Sequence, residues 1–95
     1  MNTLEKANAL ITGDRQQAYG PPVKNMAMIA KRWTMWLRSQ GKLGDWQEIE
    51  PHDVPMMMLE AKISREMHRG KEDNPVDGCG YLGIYGDLRY GKGEK

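Results

Sequence analysis

Apolar and polar positions alternate at helical intervals along most of the chain. Leu4, Ala7, Leu10 and Ile11 recur at three- and four-residue steps, and Asn2 followed by Glu5 has the spacing of a capping box, so a first helix is predicted to about Thr12, with Gly13 ending it. The segment "GDRQQAYGPP", Gly13 to Pro22, then interrupts the pattern. Pro21 and Pro22 suit the first turn of a second helix, where a missing N–H costs nothing. Met26, Ile29, Ala30, Trp33 and Leu37 form its apolar stripe, which predicts a helix to about Gln40, with Lys24, Lys31 and Arg38 on its polar side.

Gly41 to Glu50 holds two glycines and no sustained period, so it reads as a connecting loop, with Trp46 expected across the end of the core. A third helix starting at Asp53 places Pro55 safely in the first turn and runs to about Arg69. Met56, Leu59, Ile63 and Met67 form a stripe expected to pack inward. Asn74 and Pro75 have the N-cap and N1 chemistry of a fourth helix, in which Gly78, Gly80, Gly83 and Gly86 each cost about 0.8–1.0 kcal/mol relative to Ala. Close approach to another helix is the expected compensation. No alternating strand pattern and no internal repeat is visible, and the fold class that follows is an all-α, compact four-helix bundle, a single helical domain over 1–90 with a flexible charged tail at 91–95.

Composition adds two constraints. A folded chain of 95 residues buries little more than roughly 60% of its potential surface, and eight Met against no Phe suggests surfaces that fill irregular gaps between subunits, so a homo-oligomer is expected. The formal net charge is +1 with both signs interspersed, which offers no broad basic field for nucleic acid. The lone Cys79, together with the lack of a signal-peptide pattern or long apolar run, sets a cytoplasmic, non-membrane protein as the expectation.

Candidate chemistry lies where polar groups break apolar stripes. On the third helix Val54, Met57, Met58 and Ala61 begin a second stripe that continues as Arg65 and His68, flanked by Lys62 and Arg69. Cations suit a helix C-terminus, but Lys62 and Arg65 extend the line of Met58 and Ala61, and a bidentate guanidinium beside a compact ammonium is also a phosphate or carboxylate clamp. On the fourth helix Asp77, Tyr81, Ile84 and Leu88 share one stripe, so Asp77 is expected to face Lys62 or Arg65, either as an ion pair or as a metal ligand beside bound phosphates.

"GDRQQAYGPPVKN", Trp33, "PHDVPMMMLEAKISR" and "NPVDGCGYLG" together resemble a family of small phage and prophage proteins of unassigned function, over Leu4 to about Ile84. The pattern is also distantly similar to the MazG-like all-α nucleotide pyrophosphohydrolases. That likeness implies an oligomeric bundle that binds nucleoside triphosphates and uses magnesium. The enzymes carry E-x-x-E and E-x-x-D acid sets on two helices, whereas Glu60 has no acid at 57 or 63, and only Asp77 matches the last acid of the motif. Cations with few acids bind phosphate better than they retain magnesium.

Three functions are therefore expected, in descending order. The first is nucleotide binding, including sequestration of a nucleotide signal. In it Arg15, Lys62 and Arg65 contact phosphates, Gln16 adds donors, Asp14 and Asp77 belong to the same site, and Tyr19, Asn25 or Tyr81 contacts base or sugar. In this reading Gly13 to Pro22 is the lid of the site; as a plain turn it needs only its glycines and Asp14. The second is magnesium-dependent hydrolysis of a nucleoside triphosphate, with Asp77 on the metal. The third is inhibition of a host protein through Trp33, Met35 and Trp36.

Overall fold

The computed structural model describes residues 1–13 and 22–91, and four helices account for most of them. They are α1 (Thr3–Thr12), α2 (Pro22–Ser39), α3 (Asp53–His68) and α4 (Asp73–Tyr90). The described residues contain no strand, and no described helix is long and apolar enough to cross a membrane.

The predicted capping box opens α1: the Glu5 amide donates to Asn2 Oδ1 and the Asn2 amide to Glu5 Oε1, both at 2.8 Å. The Gly13 amide closes the helix on Ala9 O. Its apolar stripe is narrower than predicted, because Ala7 is buried and Ile11 half-buried while Leu4 is 69% exposed. On α2 the buried line is Met26, Ala30 and Thr34, with Ile29, Trp33 and Leu37 half-buried beside it.

Thr34 does not belong to the expected apolar stripe, and its burial has a specific cause. Its hydroxyl donates to Ala30 O at 2.7 Å and accepts from the Ile49 amide at 2.9 Å, so it satisfies a loop N–H that would otherwise face the core. Arg38 completes the attachment of this loop by donating to Gly44 O, Asp45 O and Gln47 O. Trp46 is 85% exposed and does not cover the core, because the anchoring is done by Thr34, Arg38 and Ile49 instead.

The third helix starts at Asp53, where the carboxylate accepts from the Glu50 amide at 2.8 Å, and Pro55 is buried in its first turn. Met26, Ala30, Val54 and Ile84 form the core cluster, and Ile11, Ile29, Trp33, Ile49, Met58 and Leu88 pack around it. All four helices therefore contribute, but α4 is the centre, packed most extensively on α3 and α1. The expected inward stripe of α3 is half right. Met56 and Leu59 are half-buried, whereas Ile63 is 47% and Met67 84% exposed, because the end of the α3–α4 hairpin projects past the core.

Close approach accounts for one glycine of α4: a Cβ on Gly78 would lie 3.1 Å from Leu59 Cδ1, whereas Cβ atoms on Gly80 and Gly83 would meet Ile11 at the ordinary contact distance of 3.6–3.7 Å. The chain leaves α4 through Gly91, whose φ of 54° is a left-handed conformation that suits a residue without Cβ. Gly86 has no such requirement, since nothing lies within 4 Å of its added Cβ. Gly86→Ala is therefore expected to stabilise the fold by about 0.8–1.0 kcal/mol and raise the thermal midpoint by several degrees. Gly78→Ala should give no such gain, because Leu59 must move; equal stabilisation by both variants would contradict the close packing at Gly78.

Candidate functional site

The α3–α4 hairpin carries two polar rungs, one helical turn apart. Leu59 opposite Gly78, Lys62 opposite Asp77 and Glu66 opposite Asn74 show that the helices run antiparallel. Lys62 Nζ lies 2.8 Å from Asp77 Oδ2, with each side chain 15% exposed. Asp77 thus takes Lys62 as its partner and not Arg65. At the second rung Asn74 Nδ2 donates to Glu66 Oε1 at 2.9 Å, and the same oxygen accepts from the Lys71 amide at 3.1 Å.

These rungs correct one expectation. Asn74 is not the N-cap of α4: the N-cap is Glu72 and the helix begins at Asp73, two residues earlier than expected, and Asn74 is buried with its amide directed across to α3. The bonds from Asn74 and then from the Lys71 amide hold the Glu66 carboxyl below its ordinary value of 4.5, since both donors favour the ionised form. Glu66 therefore fastens the turn between the two helices.

Beside the rungs lies an open cleft of about 430 Å³. Lys62, Arg65 and Arg69 line it from α3 and the residue after it, and Lys71 and Asp73 from the turn and the start of α4. Ser64, His68 and Asn74 complete its lining. Arg65, Arg69 and Lys71 have no ion-pair partner among the described residues. Lys62 is different: an ammonium has three N–H donors, and with Asp77 taking one, two remain for a bound anion. The start of α4 also brings backbone N–H dipoles to the cleft, although Asp73 occupies part of that field.

Of the residues that the sequence singled out, Lys62 and Arg65 line this cleft and Asp77 backs it. Asn25 is half-buried on α2 and Tyr81 half-buried on α4, and neither lines it. Asp14, Arg15, Gln16 and Tyr19 lie outside the described residues, as does the proposed lid. Lys71, Ser64, Glu66 and Asn74 are additions that the structure makes. A signal for the last two was present: Glu66 is four residues after Lys62 and Asn74 three before Asp77, so both pairs share a helical face.

The magnesium implied by the MazG-like resemblance does not fit this donor set. Asp77 is already engaged by Lys62, and no group of three or more His, Cys, Asp or Glu side chains among the described residues can hold a metal ion. On the opposite flank of the hairpin lies an apolar groove of about 420 Å³, lined by Leu59, Ile63, Met67, Pro75, Cys79 and Leu82.

Two measurements test the rungs. Asp77→Ala leaves an unpaired ammonium between the helices and should cost roughly 3 kcal/mol in denaturant unfolding, while adding Lys62→Met should recover part of that loss. Simple additivity of the two changes would remove the pair from its assigned role. For Glu66 the depressed folded-state value means that its contribution is complete above 4.5, the unfolded reference, and is lost as pH falls through the lower folded value. Wild-type protein should thus lose stability on acidification below pH 4.5 more steeply than Glu66→Gln, and matching pH profiles would show that the clasp contributes nothing.

Comparison with known proteins gives this architecture a family. A family described as "Domain of unknown function (DUF6378)" matches residues 2–89. The chain is also 35% identical over 102 aligned residues to the Gene 55 protein of Mycobacterium phage L5, an alignment that takes in 100% of this chain and 61% of that protein. The chain thus spans less than two thirds of the curated relative's length. No solved structure matches it. The matched segment reaches from the α1 cap to the last turn of α4 and contains both rungs and the whole cleft, and the protein belongs to the DUF6378 family.

Proposed function

We propose that this protein binds a nucleotide through its phosphates, in the setting of phage infection, without hydrolysing it. The observation that carries this reading is the cationic cleft, in which Arg65, Arg69 and Lys71 have no ion-pair partner among the described residues and outnumber the one carboxylate of the lining, Asp73. Guanidinium groups match phosphate oxygens bidentately, and the Asp77-anchored Lys62 adds a point charge held in place. Retention without turnover is favoured by the acids: the one residue that matches the enzyme motif, Asp77, serves as the partner of Lys62. Hydrolysis would need carboxylates from outside the described residues. Self-association belongs to the same proposal, because a second copy would cover the groove left open by Ile63, Met67 and Leu82.

A second reading, docking onto a host protein, has its own support on α2. Met28, Met35 and Trp36 are 60%, 69% and 63% exposed, while Trp33 packs on the core. Exposed Trp and Met side chains of this kind anchor interfaces.

Calorimetry with nucleoside mono-, di- and triphosphates separates the two. Binding is expected, and Arg65→Ala should weaken it by about tenfold or more, the loss of one charge-assisted hydrogen bond to phosphate. Full retention of affinity by Arg65→Ala would move the site elsewhere. No heat with any nucleotide, together with stable capture of a host protein that Trp36→Ala abolishes, would replace the first reading by the second.

A further inference from the structure

The cleft contains an arrangement that selects one part of a nucleotide over another. The side chains that line it are mostly donors, which suit phosphate oxygens because those only accept. The backbone positions of Lys62 and Arg65 on α3 and of Arg69 just past its end are spread over roughly 10 Å, by the helical rise. With Lys71 the wall carries more cations than one phosphate group needs, and a chain of phosphates can engage them all.

Few groups that could stack on a base line the same wall. Among the described residues that line it none is Trp, Tyr or Phe, and His68 is the one ring. Tyr81 and Asn25, which the sequence placed near the base, lie elsewhere. Asn74, the amide that does reach the cleft, has its Nδ2 committed to Glu66. Asp73 supplies the single carboxylate acceptor in the lining.

We infer that the site recognises a linear oligophosphate chain and is blind to the base attached to it. This rests on the phosphate-binding reading above and narrows its ligand class: any nucleoside triphosphate and free inorganic tripolyphosphate are equivalent ligands. The nucleoside projects out of the open cleft, and the cations of the wall supply the affinity.

Calorimetry of the full chain with ATP, GTP, CTP, inorganic tripolyphosphate, AMP, adenosine and a single-stranded oligonucleotide without terminal phosphates tests this at fixed ionic strength. The three triphosphates and tripolyphosphate should bind within about threefold of one another, AMP and the oligonucleotide at least tenfold more weakly, and adenosine not at all. Arg69→Ala, on the exposed rim where folding is not at stake, should weaken all four oligophosphates by a common factor of about tenfold, with Lys71→Ala as the second such variant. If one triphosphate exceeds both the other triphosphates and tripolyphosphate by about tenfold, the inference falls while nucleotide binding stands. The tightest binding by the oligonucleotide would overturn it in favour of a nucleic-acid backbone. Absence of binding by every anion would overturn both the inference and the reading beneath it.

Discussion

The distance between α3 and α4 governs the rest of the molecule. Gly78 lets Leu59 come so near that an added Cβ would stand 3.1 Å from it, and at that separation an Asp on one helix reaches a Lys on the other. A methyl group on residue 78 would press on Leu59 Cδ1, which would have to give by a few tenths of an ångström one turn away from the 2.8 Å contact between Lys62 and Asp77. Glu66 and Asn74 depend on the same spacing, and through them so does the turn that carries Lys71. Glycine thus weakens α4 as an isolated helix and makes the hairpin possible as a packed one.

Placed on this frame, each charge has a distinct task. Asp77 is an anchor for Lys62 and so has a structural purpose. Glu66, although exposed, acts by ordering the backbone of the turn and not by pairing with a neighbouring cation. Arg65, Arg69 and Lys71 sit outside these arrangements and are exposed, as unpaired cations are unless something offsets the cost of desolvating them.

Local rules made much of the fold legible. The Asn2–Glu5 box and Pro55 in a first turn depend on neighbours within a few residues, so sequence spacing reports them directly, whereas Gly91, assigned to the tail, caps α4 in a left-handed conformation. The Lys62–Asp77 contact was legible for a related reason: each residue interrupts an apolar stripe, and two such interruptions on adjacent helices must meet or be solvated. What the pattern concealed was where cover stops. From Ala61 to His68 every α3 residue but Lys62 is exposed, so Ile63 and Met67 continue a stripe that no other helix reaches. The same limit misplaced Trp46, whose size suggested core packing, and Asn74, whose capping chemistry was redirected to Glu66 by the incoming helix.

The link between α2 and α3 shows how one side chain can stand in for regular structure. Arg38 gathers three carbonyl groups of the loop, from Gly44, Asp45 and Gln47, onto a single guanidinium. Upstream of Gly44 the chain caps α2: the Lys42 amide donates to Leu37 O at 2.8 Å and the Gly41 amide to Arg38 O at 3.0 Å, with Gly41 at a φ of 70°. One residue added between Gly44 and Gln47 would pull the carbonyls off Arg38 and shift the Ile49 amide away from Thr34, and one added at Gly41 would break the cap. Both halves of this linker are therefore held to their length, the first by its own glycine and the second by an arginine that lies outside the linker.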